Sequence, residues 1–244
     1  STSDEVRLLK ARLGEQIAFG VGADRFVNGQ RLAKQGVNSF VLDDGFQHLQ
    51  LARDVDIVLI DATNPFGSGK LLPAGRLREP RGALARADIV VITRSERSPA
   101  IEAAVRRDSD APIFYARPRL DAVRVWRGEY PGEEDADVRS KKLFAFCGIG
   151  NPAAFVSDLL RWGFEIVGRR FFPDHHRFTP EDVAQIESEA RAAGADGLIC
   201  TEKDIFNLGG ASWRSFVVRY CSISMQIDNE NEFWRAITQN ARRP

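Results

Sequence analysis

The 244-residue sequence predicts an α/β fold built on parallel strands, and three observations carry that reading. Short apolar runs end in an acid or a small polar residue: Asn38-Ser-Phe-Val-Leu-Asp43-Asp44, Val55-Asp-Ile-Val-Leu-Ile-Asp61 and Ala87-Asp-Ile-Val-Val-Ile-Thr93. Runs that are β-branched and apolar on both faces read as strands buried in a parallel sheet. Helical stretches lie between them, at residues 5–13 and 29–35, with another closing at 84–86; that alternation is the mark of an α/β sheet. Composition agrees, since 43% hydrophobic and 28% charged residues suit a globular chain of one large domain or two small ones. Ligands of such sheets bind where strands end, so the acids at 43, 44 and 61 are expected at that edge.

Residues 117–142 break the rhythm. Arg127-Gly-Glu-Tyr-Pro-Gly-Glu-Glu-Asp-Ala-Asp137 is rich in turn formers and acids and reads as a hairpin plus a solvated loop. The pattern then restarts. Lys142-Leu-Phe-Ala-Phe-Cys147 is a strand, and Gly148-Ile-Gly-Asn-Pro turns into a helix that runs to Trp162. Residues 164–172 form a strand, and Thr179-Pro-Glu-Asp opens a helix with an N-cap threonine and a first-turn proline. Strands at 197–201 and 217–227 and a helix at 232–240 complete the chain. The division predicted is a first lobe at 1–116, a hairpin linker at 117–141 and a second α/β lobe at 142–244.

Lys+Arg and Asp+Glu are equal at 34 each, so bulk charge points to neither nucleic acid nor an anionic membrane. Cys147, Cys200 and Cys221 lack C-x-x-C spacing and fit a reducing compartment rather than a disulfide framework or a zinc site. No apolar run approaches the ~20 residues that span a bilayer.

Four segments concentrate chemistry. Asp43-Asp44-Gly-Phe-Gln47-His48 follows a strand directly, where an acid can support Mg²⁺ or its water shell beside phosphates; a plain Asp-Gly turn is the alternative, but two acids, an amide and a histidine crowded at one strand end favour function. Leu71-Leu-Pro-Ala-Gly-Arg76-Leu-Arg78-Glu79-Pro80 brings two guanidiniums and a carboxylate, suited to phosphate and metal or to a surface ion-pair network. Asp174-His175-His176-Arg-Phe-Thr179 holds two of only three histidines, a candidate general base. Thr201-Glu-Lys-Asp204 reads equally as a substrate contact or a helix start. Gly67-Ser-Gly-Lys70 is not a phosphate loop, because G-x-x-x-x-G-K-[ST] needs glycine at 64 and a hydroxyl at 71, where Asn64 and Leu71 stand.

In order and spacing these four segments, with Ser3-Asp4-Glu5 ahead of them, resemble the tetraacyldisaccharide 4'-kinase family of lipid A biosynthesis. The resemblance implies a phosphate-loop kinase core with a second α/β lobe and a bridging hairpin. It implies transfer of the γ-phosphate of ATP to the 4'-hydroxyl of a tetraacylated disaccharide 1-phosphate, with Mg²⁺, by a peripheral enzyme on the cytoplasmic face of a Gram-negative inner membrane. Carried over by position, Asp4 and His175 would deprotonate or orient the sugar hydroxyl, and Asp43 and Asp44 would be the acids after the Walker-B-like strand. Asp43, Gln47 and Glu79 would lie at Mg²⁺, and Gln47 and Arg78 at the nucleotide. The family's Walker A loop precedes its Asp-Glu motif, so with Ser1 as first residue the chain is expected to be a fragment with little activity alone. Asp4 and His175 are far apart in sequence, so their pairing is expected to need closure of one lobe over the other. A non-catalytic lipid- or partner-binding module, or another nucleotide-dependent enzyme such as a metal-chaperone GTPase, is the competing reading; the latter lacks a guanine-reading N-K-x-D segment.

Overall fold

The structure, a computed structural model, describes residues 4–209 and 213–241. Its elements in chain order begin with helices α1 (Asp4–Leu13) and α2 (Arg25–Ala33) and strands β1 (Ile57–Asp61) and β2 (Ile89–Thr93). Helix α3 (Pro99–Arg106), strands β3 (Ile113–Val125) and β4 (Lys142–Cys147), helix α4 (Pro152–Arg161) and strand β5 (Glu165–Phe171) follow. Helix α5 (Pro180–Ala192), strand β6 (Gly197–Thr201), helix α6 (Glu202–Ile205), strand β7 (Val218–Ile227) and helix α7 (Glu230–Asn240) complete the order. The chain forms two compact units, residues 1–19 with 119–224 and residues 20–118 with 225–244.

In the second unit β1, β2 and the start of β3 pair in parallel, with Ile57 opposite Ile89 and Val90 opposite Ile113. Strand side chains alternate between faces. Val90 and Ile92 therefore pack with Ile60, Leu84, Val105 and Tyr115, while Ile89 and Val91 pack with Ala116 and Phe233 on the opposite face. Phe233 of α7 meets Phe114 edge to face, ring centroids 5.4 Å apart.

In the first unit the strand order is β7-β6-β4-β5, all parallel. Leu143, Ala145 and Cys147 face Phe155, Val156 and Leu159 of α4. Phe144 and Phe146 face Ile186 and Ala190 of α5. The expected hairpin lies here too: Val125 N donates to Glu133 O (2.8 Å) and Asp135 N to Val123 O (2.9 Å). The parallel direction gathers the loops after β4, β5 and β6 at one carboxyl edge.

Several local expectations need correction. Residues 38–43 form no strand: Val41 is 100% exposed and Phe40 49%. An extended run becomes a strand only when a neighbouring strand takes its backbone groups, and among the described residues none does so here. The stretch closing at 84–86 is a 3₁₀ helix, Arg81–Arg86, and α3 and the entry into β3 went unread. Both termini also lie opposite to the expected division. α1 packs on α6, placing residues 4–19 with the lobe expected at 142–244, and Phe233 belongs to the unit of β1 and β2, the lobe expected at 1–116.

Truncating a buried aromatic costs about 3–5 kcal/mol. Phe233→Ala should destabilise the second unit by about 3 kcal/mol in urea unfolding; a loss below about 1 kcal/mol would mean that α7 is not an anchor of that core.

Candidate active site

The carboxyl edge of the first unit is built from three strand-to-loop transitions and the start of α1. After β5, residues 172–178 turn back over the Gly148 loop, and His175 adopts a left-handed backbone (φ +59°), unusual for a non-glycine residue. Its N–H donates to Gly148 O (3.1 Å) and to Asp174 Oδ1 (3.0 Å), which holds that conformation. Position 148 must be glycine for a steric reason. A β-carbon there would stand 2.9 Å from His176 Cβ and 3.0 Å from Pro173 O.

The turn aims His175 at Asp4, the first residue of α1. His175 Nδ1 lies 2.9 Å from Asp4 Oδ1 and 3.1 Å from Oδ2. Asn207 Nδ2 donates to Oδ2 at 3.0 Å. The Asp4 side chain is only 3% exposed, whereas that of His175 is 51% exposed. Burial alone would raise the Asp4 carboxyl, but hydrogen bonds from His175 and Asn207 and the charge of Lys203 outweigh it, leaving it below its ordinary value. An ionised carboxylate only accepts hydrogen bonds, so Nδ1 carries the proton; Nε2 has Asp174 Oδ2 at 3.6 Å, beyond hydrogen-bond length, and is left for other work. Asp4 and His175 belong to the same unit. The expected closure of one lobe over the other is therefore not what pairs them; the assignment of α1 to this unit is.

His176 is engaged differently. Its Nε2 donates to Asp182 Oδ2 (2.8 Å), inside the capping box that starts α5, and its ring stacks on Phe172 at 4.6 Å.

Thr201-Glu-Lys-Asp204 turns out to be a junction at the start of α6. Thr201 and Asp204 form a capping box, and the fully buried Asp204 also accepts from Gly148 N at 2.8 Å. Burial raises the Asp204 carboxyl, with those donors and Lys203 pulling in the other direction. Lys203 Nζ lies 3.1 Å from Glu5, 3.2 Å from Asp174 and 3.7 Å from Asp4. Burial alone would lower the Lys203 ammonium, but the acids around it hold it above its ordinary value. Asp4, Glu5 and His175 are spaced as metal ligands could be, yet Lys203 already supplies the cation among these acids.

The remaining predicted residues lie in the second unit. Arg25 donates to the carbonyls of Asp43 (2.9 Å) and Asp44 (3.2 Å). Arg78 pairs with Asp44 at 2.9 Å, both side chains more than half exposed, and Asp44 is left-handed at φ +51°. Arg86 grips both Glu79 oxygens (3.0 and 2.8 Å) and covers the Phe46 ring at 4.6 Å. Asp43 and Gln47 are exposed. The structure thus gathers Asp43, Asp44 and Arg78, and pairs Glu79 with Arg86. Asn207, Arg25 and Arg86 were missed, because an isolated Asn or Arg carries no spacing signal.

A family model described as tetraacyldisaccharide-1-P 4'-kinase matches residues 1–242. The chain belongs to this family. The tetraacyldisaccharide 4'-kinase of Anaeromyxobacter sp. (strain Fw109-5) is 41% identical over 201 residues, 80% of this chain and 52% of the relative. That of Syntrophobacter fumaroxidans is 37% identical, across 99% of this chain and 67% of the relative. The crystal structure of LpxK from Aquifex aeolicus in complex with ATP aligns with a TM-score of 0.60 at 25% identity, covering 88% of this chain and 62% of that one. The chain thus spans about half to two thirds of the length of the family members it matches.

The lowered Asp4 pKa has a pH consequence. A carboxyl depressed in the folded state adds stability above its unfolded pKa, close to the ordinary 3.8, and loses it as pH falls through the folded value. The stability advantage of wild type over Asp4→Asn should be complete at neutral pH and disappear in acid. An advantage that instead grows on acidification, measured by urea unfolding across pH, would contradict the geometry.

Proposed function

We propose that this chain works as part of a tetraacyldisaccharide 4'-kinase, transferring the ATP γ-phosphate to the 4'-hydroxyl of a tetraacylated disaccharide 1-phosphate. The observation that carries the reading is the Asp4–His175 pair: a buried carboxylate on Nδ1 of a half-exposed histidine, in a chain of this family.

A sugar hydroxyl is a weak nucleophile at neutral pH, and a positioned base contributes about 10²–10⁴-fold. His175 Nε2 accepts the 4'-hydroxyl proton as that oxygen forms its bond to the γ-phosphorus, while the bond to the β,γ-bridging oxygen breaks and ADP leaves. Asp4 fixes the tautomer and stabilises the imidazolium that results. Lys203 keeps Asp4 ionised and so able to do both.

On the nucleotide side we assign Asp43, Asp44, Gln47 and Arg78. Mg²⁺ prefers hard oxygen donors, and the exposed oxygens of Asp43 and Gln47 fit it. Glu79, with both oxygens on Arg86, is assigned to the ion's water shell. When bound, the ion supplies positive charge against the phosphate oxygens. Arg78 is a fork for phosphate, released from its solvent-exposed pairing with Asp44, which is worth at most about 1 kcal/mol. The location we propose is the cytoplasmic face of the inner membrane, held peripherally. No helix of the described residues is long and apolar enough to cross a membrane.

In the full-length enzyme, His175→Ala and Asp4→Ala should each lower kcat by roughly 10²-fold or more with little change in KM. The double variant should be little worse than either single one, and His176→Ala should be milder. Effects that multiply would break the dyad reading; an essential His176 with a dispensable His175 would shift the base by one residue. Asp43→Ala and Asp44→Ala should each remove most turnover, and near-normal rates at saturating Mg²⁺ would take these acids out of the phosphate site.

A further inference from the structure

Among the described residues, Glu202 is one of several buried carboxylates that the mechanism does not use. Glu202 is 4% exposed, sits at the start of α6, and touches neither Asp4 nor His175. Its oxygens accept from three other elements: Arg12 of α1, which pairs with both, Tyr130 Oη of the hairpin (2.7 Å), and Ser222 Oγ of β7 (3.4 Å). The same guanidinium donates to Ile223 O (2.8 Å) and Ser222 Oγ (3.1 Å). Four hydrogen bonds from the Arg12 guanidinium are thus directed into one corner of the unit.

What this corner holds is α1. That helix carries a short apolar stripe, Val6, Leu9 and Leu13 at i, i+3 and i+7, but buries little of it. Only Asp4 is fully buried, Val6 and Leu8 are half-buried, and Leu9 and Leu13 are 44% and 38% exposed. Its placement therefore falls to polar anchors at its two ends. Asp4 is one, and Arg12, two turns on at about 12 Å along the axis, is the other. Packing this sparse is a weak check on a helix that slides or tilts, and a base displaced by about 1 Å can lose 10²-fold in rate.

We propose that Glu202, acting through Arg12, is a positioning residue that fixes α1 so that Asp4 meets His175. The burial that pushes the Tyr130 hydroxyl up to about 12, with Glu202 beside it, keeps that hydroxyl a donor across the physiological range and so a permanent third tie on the same carboxylate. The proposal rests on the kinase reading for its effect on rate, but its mechanical part does not.

The test uses Glu202→Gln, which keeps the volume and the Tyr130 hydrogen bond but not the charge facing Arg12, and Arg12→Lys, which keeps the charge at a partly exposed position but not the fork. Two measurements are made. Hydrogen exchange on the 244-residue chain should show α1 amides exchanging faster in both variants, with β4 and β6 amides still protected. In the full-length enzyme, Glu202→Gln should lower kcat about 10- to 100-fold with KM for both substrates little changed, Arg12→Lys less so, and the loss should vanish in an Asp4→Ala background. Unchanged α1 exchange overturns the proposal. So does a wild-type kcat in Glu202→Gln, or a loss that simply multiplies with that of Asp4→Ala. Should Asp4→Ala itself retain full kcat, the kinase reading of the dyad fails, and the exchange data alone then decide whether Glu202 anchors α1.

Discussion

A carboxylate withdrawn from water must be met by donors, and the Asp4 carboxylate is the point on which this unit's functional edge depends. Its partners come from four places: His175 after β5, Asn207 after α6, Lys203 within α6, and its own neighbour Glu5, whose N–H donates to Oδ1 at 3.1 Å. Phe178 and Ile205 bring the loop after β5 and α6 together in one hydrophobic cluster, whereas α1 has no fully buried apolar side chain to bring to it. The charge at the start of α1 ties the helix to the sheet edge, as Arg12 does at its other end, and it dictates which nitrogen of His175 carries the proton. Structure and chemistry use the same interaction.

The loops at that edge show what is required to present it. His175 is held left-handed by hydrogen bonds to Gly148 O and Asp174, a conformation of modest cost for a histidine that persists only where its surroundings enforce it. Gly148 permits the close approach, Asp204 fixes Gly148 from beneath, and Thr201 fixes Asp204 through the capping box. Asp44 in the second unit repeats the pattern: a left-handed acid following an apolar run, its carbonyl and carboxylate taken by Arg25 and Arg78. Both candidate sites thus place a non-glycine residue in a backbone conformation that its neighbours must maintain.

The strands of both units were legible in the sequence because buried parallel strands announce themselves as short apolar runs, β-branched in 57–61 and 89–93 and aromatic in 142–147. The run at 38–43 has the same composition but no strand beside it, and composition does not report pairing. The position of α1 was illegible for a related reason: its placement is set by Asp4 and Arg12 meeting groups about 170 to 200 residues away, which no local window contains. Of the candidate site, Asp4 and His175 were identified by resemblance, and the structure supplies the contact and its partners. Thr201-Glu-Lys-Asp204 looked equally like a substrate contact and a helix start. Three-dimensional context resolves it, since each member already holds a neighbouring element. The resemblance selected His175 over His176, and the coordinates add where the second ring goes, into the capping box at Thr179.

The central claim is that Asp4 holds the proton of His175 on Nδ1 and leaves Nε2 as the base. Nitrogen-15 chemical shifts of the His175 ring, recorded at neutral to mildly alkaline pH on this chain, report the tautomer directly. The account predicts the Nδ1–H form in wild type and a shift toward the mixture of an ordinary exposed histidine in Asp4→Ala. A predominant Nε2–H form in wild type, or identical ring shifts in the two proteins, would contradict it.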